Sequence, residues 1–401
     1  MSERVLLHVG TPKTGTSQLQ EVLFRNREAL AEHGISYPAE RFDAHFLAAL
    51  DLMALPWGGL ETEAIGCWDA LAQQVREHRG TAIISHEILA TASRSQVGRA
   101  LESLGHGSGA EVHVVVSARD LVRQIPAEWQ ENVKHRSTIS FERFLAQLRD
   151  PAREARIASW FWGVQELPDV LDRWAHELPP EHVHVVTVPP PGGDAGELWR
   201  RFEHTFGLTG LELDLDVAKA NPSLGVPETA LLRRLNQQVN PVLAPPDYRP
   251  LVRELLAHQT LSARSRSPRL ALPPDVHPWA VELSASWIAE LRRRGYDVVG
   301  DLDDLLGPPA PEHWADPDAP RESQVSGAAL DALCAVLLDN ARLRGEETRL
   351  AAELHEARER IAHHERRPLR ESILTFVRRS AAGRGLHRVY RVLRGRSTRS
   401  A

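Results

Sequence analysis

Four short runs rich in β-branched residues punctuate the chain: residues 5–9 (VLLHV), 82–85 (AIIS), 112–117 (VHVVVS) and 183–188 (VHVVTV). Each is bounded by turn or polar residues, which predicts buried β-strands. Between them the apolar residues recur at helical spacing. Leu19, Val22, Leu23 and Leu30, for example, fall close to one helical face. Strands that alternate with helices predict an α/β fold, a mostly parallel sheet flanked by helices.

The pattern breaks after residue 306. Residues 307–326 contain GPPAPEHWADPDAP, which reads as a Pro-rich linker. Residues 325–366 then read as one long helix, with Gly345 its weak point. The expected organisation is an α/β domain over 1–306, a linker over 307–326, and a C-terminal helical extension with a basic tail over 327–401. Val336, Leu343, Leu350 and Ala357 recur every seven residues, as do Leu333, Leu354 and Ile361, with Asn340 and Glu347 interrupting the second series. This is a weak coiled-coil seam, and it allows a homodimer through the C-terminal helix. Beyond Pro368, the residues Leu369, Ile373, Phe376 and Val377 form an apolar face among arginines. Such a face suits peripheral contact with an anionic membrane, and equally a solvated tail.

Charge sharpens this division. From Arg366 onward there are 11 arginines and one acid, Glu371, a net +10. The whole chain carries −6, so residues 1–365 carry −16. An acidic body argues against nucleic acid as a partner. The two cysteines, Cys67 and Cys334, fit no metal-ligand spacing. No leader of charged then apolar residues opens the sequence, and no run of 18 apolar residues occurs. A reduced, cytoplasmic protein, membrane-associated at most through its tail, is expected, with no metal.

Of 48 basic residues only three are lysine: Lys13, Lys134 and Lys219. The first lies in GTPKTGTS, residues 10–17, between the first strand and the first helix. A loop entering a helix N-terminus presents unpaired N–H groups and the positive end of the helix dipole, an anion site. Gly10 and Gly15 allow close backbone approach to a ligand. Thr14, Thr16 and Ser17 add hydroxyls, and Lys13 adds charge. The common nucleotide-triphosphate loop needs lysine directly after its second glycine. Here Thr16 stands there, and the lysine precedes Gly15 by two residues.

The order PKTGTS, Pro12 to Ser17, resembles the 5′-phosphosulfate loop of the sulfotransferases, which use 3′-phosphoadenosine 5′-phosphosulfate (PAPS) and release PAP. A second motif of that family is a strand ending in arginine, followed by a helix carrying a serine; both contact the 3′-phosphate. Arg119 after the third predicted strand matches the arginine. Ala127 occupies the serine's place, a departure for which Arg123 or Ser117 offers compensation. The family's base is a glutamate or histidine near a strand end. SHEIL supplies both His86 and Glu87, which should point in opposite directions. Ser85, Glu87 and Leu89 resemble the carbohydrate-type branch and favour Glu87, with His86 the alternative.

The resemblance implies transfer of a sulfuryl group to a hydroxyl of a carbohydrate, glycolipid or natural-product acceptor. Lys13 would offset charge on the transferring group. Gln130 and Lys134 share a helical face and are candidates to line the acceptor cleft. Lys219, Asn221 and Ser223 lie in a loop of the kind that closes over the donor in that family. Two other readings stay open: a nucleotide-dependent kinase or NTPase using the same loop, and a non-catalytic PAP-binding or assembly protein.

Overall fold

The computed structural model describes residues 2–216, 223–264, 266–366 and 369–396. Six parallel strands form one sheet: β1 (Arg4–His8), β2 (Ile35–Ser36), β3 (Thr81–Ser85), β4 (Glu111–Ala118), β5 (Val183–Thr187) and β6 (Asp297–Val299). Their spatial order is β2-β3-β1-β4-β5-β6. The α/β fold with a parallel sheet flanked by helices is therefore what the chain adopts. The four expected strands lie at the sheet's centre. The edge strands β2 and β6 span two and three residues, too short to leave a pattern.

Alternation along the strands sorts the core into two layers. Leu6, Ile83, Val115 and Val186 face Leu19, Val22 and Leu23 of the helix Thr16–Arg25, and Trp199, Phe202 and Phe206 of the helix Glu197–Phe206. Val5, Leu7, Ile84, Val114, Val116 and Val185 face the larger layer, which holds Ile125 and Trp129 of the helix Leu121–Lys134.

The chain divides into two compact units, residues 1–332 and 333–401. The first unit thus extends past 306, and the expected linker belongs to it. Asp318 accepts hydrogen bonds from the N–H groups of Phe141 (3.1 Å) and Glu142 (2.9 Å), capping the helix Phe141–Arg149 from a distance in sequence. Arg233 pairs with Asp318 at 3.2 Å, and Trp314 Nε1 donates to the carbonyl of Ala271. The prolines break secondary structure in this stretch without detaching it from the body. In the second unit the long helix continues to Arg366, followed by the helices Leu369–Arg379 and Ala381–Arg396. Among the described residues no helix is long and apolar enough to cross a membrane.

The revised boundary has a direct consequence. Asp318→Ala should destabilise the protein by about 1–2 kcal/mol, the cost of losing a helix cap. A chain ending at 332 should unfold cooperatively, and one ending at 306 should show a lower midpoint. Urea denaturation followed by circular dichroism checks all three.

Candidate functional site

From β1 the chain turns toward β2 and β3, whereas from β4 it continues to β5 and β6 on the other side. The loops after β1 and β4 therefore diverge, and the crevice they leave at the strands' C-terminal ends is where ligands bind in such sheets. Both halves of the expected donor site, residues 10–17 and Arg119, meet at this crevice.

The loop is stitched to the end of β4. Thr11 N–H donates to the Ser117 carbonyl at 2.6 Å, and Ser117 N–H donates to the Gly10 carbonyl at 2.5 Å. Thr14 Oγ1 donates to the Thr11 carbonyl at 2.6 Å and lies 2.5 Å from Ser117 Oγ. The Pro12 carbonyl accepts from the side-chain amides of Gln124 (3.0 Å) and Gln165 (3.3 Å). These contacts fix Pro12 and Thr14 as framework; Thr14 is buried. The glycines are framework too, not open floor for a ligand. Gly10 has φ 109°, and a Cβ there would lie 3.0 Å from Glu87 Cα. At Gly15, φ 90°, a Cβ would lie 2.7 Å from Leu198. Left-handed backbone and close packing both demand glycine.

Beneath the loop sits His8, wholly buried between Ser85 Oγ (2.7 Å from Nδ1) and Ser117 Oγ (2.9 Å from Nε2). Ser117 Oγ also donates to the Gly10 carbonyl. A neutral ring protonated at Nε2 satisfies the whole set, donating to Ser117 and accepting from Ser85. Burial pushes the imidazole down to about 4, with Glu87 pulling against it. His45 is held the same way, accepting from Ser85 N–H at 3.2 Å and facing the Pro38 carbonyl at 3.1 Å. Burial pushes it down to about 4 as well.

What the loop leaves unpaired is as informative. Among the described residues, the N–H groups of Lys13, Thr14, Gly15, Thr16 and Ser17 have no protein acceptor. Thr16 is buried and Ser17 exposed. Beside them lies Arg119, whose Nη1 donates to the Lys13 carbonyl at 3.4 Å and whose buried Nε has no partner. Burial, and then the like charge of Arg123, push its guanidinium down to about 10, with Asp120 opposing. Among the described residues no carboxylate forms an ion pair with Arg119. A desolvated cation without a counter-charge, next to unpaired N–H groups, makes this crevice attractive to an anion.

The remaining expected residues divide. Lys13 Nζ sits on Glu131 at 2.6 Å, and its φ of 66° turns the backbone into the left-handed region. Glu131 is also approached by Lys134 (3.7 Å), His135 (3.2 Å) and Arg253 (3.6 Å). Burial opposes its charge, but His135, Lys13 and Lys134 hold its carboxyl far below the usual range. Arg123 is committed to Asp120 and to the carbonyls of Pro189 (3.1 Å) and Val188 (3.4 Å). Ser117 is likewise engaged, so neither stands free to replace the serine missing at Ala127. Gln130 and Lys134, expected to line a cleft, are instead buried, 5% and 4% exposed. The amide of Gln130 grips both backbone groups of Leu224, donating at 2.8 Å and accepting at 3.1 Å. Lys219 and Asn221 lie outside the described residues, and Ser223 is exposed.

His86 and Glu87 do take different directions. His86 lies against the Phe46 ring, 5.1 Å between centroids, and accepts from Ile88 N–H. Glu87 turns to the first helix and accepts from Gln20 Nε2 at 2.9 Å. Burial raises the Glu87 carboxyl, but His86, the Gln20 hydrogen bond and His8 together hold it below its ordinary value. It is a carboxylate at neutral pH, able to take a proton. Burial lowers His86, with Glu87 opposing.

Glu128 escaped the sequence reading. It is 7% exposed, and burial pushes its carboxyl up to about 7, with Lys13 opposing and Glu131 reinforcing. Its helical spacing to Glu131 was visible, but its burial was not. A cavity of about 610 Å³ opens elsewhere, lined by Arg136, Ser137, Thr138, Ser140, Arg143 and Arg233 among others. Its lining includes neither Arg119 nor any of residues 10–17, so it is separate from the crevice. Comparison with protein-family models, curated proteins and solved structures yields no match to this chain.

The buried histidines predict a pH dependence. A histidine near 6.5 when unfolded and about 4 when folded favours the native state above 6.5. Between these values the unfolded chain binds more protons at both histidines, which outweighs the single opposite contribution of Glu128, whose carboxyl burial pushes up to about 7, so stability should fall as pH drops from 6.5 toward 4. Urea midpoints at pH 7 and pH 4.5 should differ in the wild type, and by less in His8→Gln. Equal midpoints in the wild type would remove the effect.

Proposed function

We propose that this protein is a PAPS-dependent sulfotransferase, moving a sulfuryl group to a hydroxyl of a carbohydrate, glycolipid or natural-product acceptor. The observation that carries the reading is the uncompensated Arg119 guanidinium beside five unpaired N–H groups. Together they suit a ligand with separate anionic groups, as PAP has. The order PKTGTS at residues 12–17 adds the motif resemblance.

In this reading PAPS is the substrate that brings the activated sulfuryl group. The N–H groups of residues 13–17 hold anionic oxygens, and Arg119 holds a phosphate. Glu87 takes the proton from the acceptor hydroxyl. Lys13, kept beside the loop by Glu131, supplies positive charge. Next to His86, the rings of Phe46, Trp57 and Trp160 form an aromatic cluster, with Trp57 partly exposed. Aromatic faces beside His86, the chain neighbour of the base, favour an acceptor with apolar C–H faces, such as a sugar.

PAP should bind with micromolar affinity in calorimetry, and Arg119→Ala should weaken it about 10- to 100-fold, for a loss of roughly 1.5–3 kcal/mol. Glu87→Gln should retain PAP and lose turnover, because an amide accepts no proton. Lys13→Arg should slow single turnover more than it weakens PAP. Binding of Mg–ATP with no binding of PAP would replace this reading with a kinase or NTPase. PAP binding without sulfuryl transfer to any sugar tested would leave a PAP-binding protein.

For the C-terminal helix we propose self-association. Val336, Leu343, Leu350, Leu354 and Ile361 are all exposed, between 43% and 59%, along one seam. The full chain should run as a dimer in light scattering, and residues 1–332 as a monomer. A monomeric full chain would leave the seam to another partner, the basic tail's anionic membrane among them.

A further inference from the structure

At the opposite end of the sheet, where β4, β5 and β6 begin, four titratable side chains form a continuous run. Glu111 Oε1 lies 2.6 Å from His113 Nε2. His113 Nδ1 lies 2.8 Å from His184 Nε2, and His184 Nδ1 lies 2.7 Å from Asp297 Oδ2. His182, immediately before β5, stacks on the His113 ring with centroids 4.3 Å apart. Its Nε2 stands 3.8 Å from the same Glu111 oxygen. The run is about 20 Å from the crevice, since β4 spans eight residues at about 3.3 Å each.

Three of these groups offer ligand atoms to one point: a carboxylate oxygen of Glu111 and a ring nitrogen each of His113 and His182 all lie within 4.8 Å of one another. The other ring nitrogen of His113 lies against His184, and His184 against Asp297, so a His113 ring that donates from Nδ1 along this run turns its Nε2 lone pair toward Glu111. A metal ion can sit between Glu111 and His113 and also take His182 Nε2.

The geometry points to a zinc-class divalent cation site formed by Glu111, His113 and His182, at the end of the sheet remote from the crevice. Two imidazole nitrogens and one carboxylate oxygen suit Zn²⁺, with a fourth position open to water. The outer hydrogen bonds have the form metal-bound histidines use: His113 Nδ1–H on His184, and His184 on Asp297. Glu111 is exposed and free to swing from 2.6 Å to the wider spacing of two ligands on one ion. Arg4 stands level with Glu111 on β1 and opposes a cation there, which sets the expected affinity at micromolar and not tighter.

The test uses the full chain, stripped with chelator and titrated with zinc chloride in a calorimeter. A single equivalent of Zn²⁺ should bind with micromolar affinity and raise the melting temperature. Co²⁺ in its place should give visible d–d absorption. Glu111→Gln and His182→Ala alter side chains that are not fully buried, so both should fold, as circular dichroism will confirm. Each should weaken Zn²⁺ binding at least about tenfold, the loss of one ligand. No uptake by the wild type, or uptake unchanged in both variants, would overturn the site and leave a bridging proton at the Glu111–His113 contact.

Discussion

The pairing of β1 with β4 is the constraint on which the crevice depends. These strands are joined only through the whole chain between residues 9 and 110, yet they lie side by side in register, Arg4 against Glu111 and His8 against Val115. The register carries the end of β4 past the end of β1. There Ser117 can exchange backbone hydrogen bonds with Gly10 and Thr11 and offer its hydroxyl to His8 and Thr14. A one-residue slip would turn Ser117 to the other face of the sheet and dissolve the set. The loop's shape is therefore a tertiary property. With the Gly10 carbonyl and the Thr14 hydroxyl turned toward β4 and the Pro12 carbonyl toward Gln124 and Gln165, the N–H groups of residues 13–17 have no acceptor among the described residues.

The same constraint separates what the sequence disclosed from what it hid. The central strands were legible because each is buried on both faces and reads as a β-branched run. The strand–loop–helix order at residues 5–25 and the arginine at the end of β4 were legible for the same reason. Roles that depend on partners far along the chain were not. Lys13 meets Glu131 across 118 positions, and Gln130 meets Leu224 across 94. Helical spacing placed Gln130 and Lys134 on one face correctly, but periodicity cannot say whether a polar face meets solvent or another helix. Gly10 and Gly15 were read as room for a ligand, because a missing side chain looks the same whether ligand or protein fills the space. The proline-rich stretch misled similarly: prolines forbid regular structure without forbidding packing, and Asp318 shows the difference.

Charge in the crevice is arranged by subtraction. Glu131 draws Lys13, Lys134, Arg253 and His135, and Asp120 draws Arg123. Of the cations that converge on the loop, among the described residues Arg119 is the one left with carbonyl contact alone. Burying a charge without a partner is costly, and the depressed value of Arg119 expresses that cost. An arrangement that neutralises its neighbours and spares this guanidinium concentrates attraction at a single place. It also sets Arg123, one helical turn away and paired with Asp120, apart from Arg119 despite equal charge.

The polar groups of both ends belong to one face of the sheet. On β4, Glu111, His113, Val115 and Ser117 alternate onto the same side, and β1 contributes Arg4, Leu6 and His8 to it. Only the middle of this face is apolar, under the helices Thr16–Arg25 and Glu197–Phe206. Past their reach the strands carry residues that hydrogen-bond to one another: hydroxyls around one imidazole at the C-terminal end, imidazoles between carboxylates at the N-terminal end. At the hydroxyl end both ring nitrogens of His8 meet serine hydroxyls, Ser85 and Ser117. At the imidazole end the run terminates in two carboxylates, Glu111 and Asp297, and a second imidazole, His182, faces the same Glu111 oxygen as His113. The same sheet face therefore surrounds its imidazole with hydroxyls at one end and gathers cation ligands at the other.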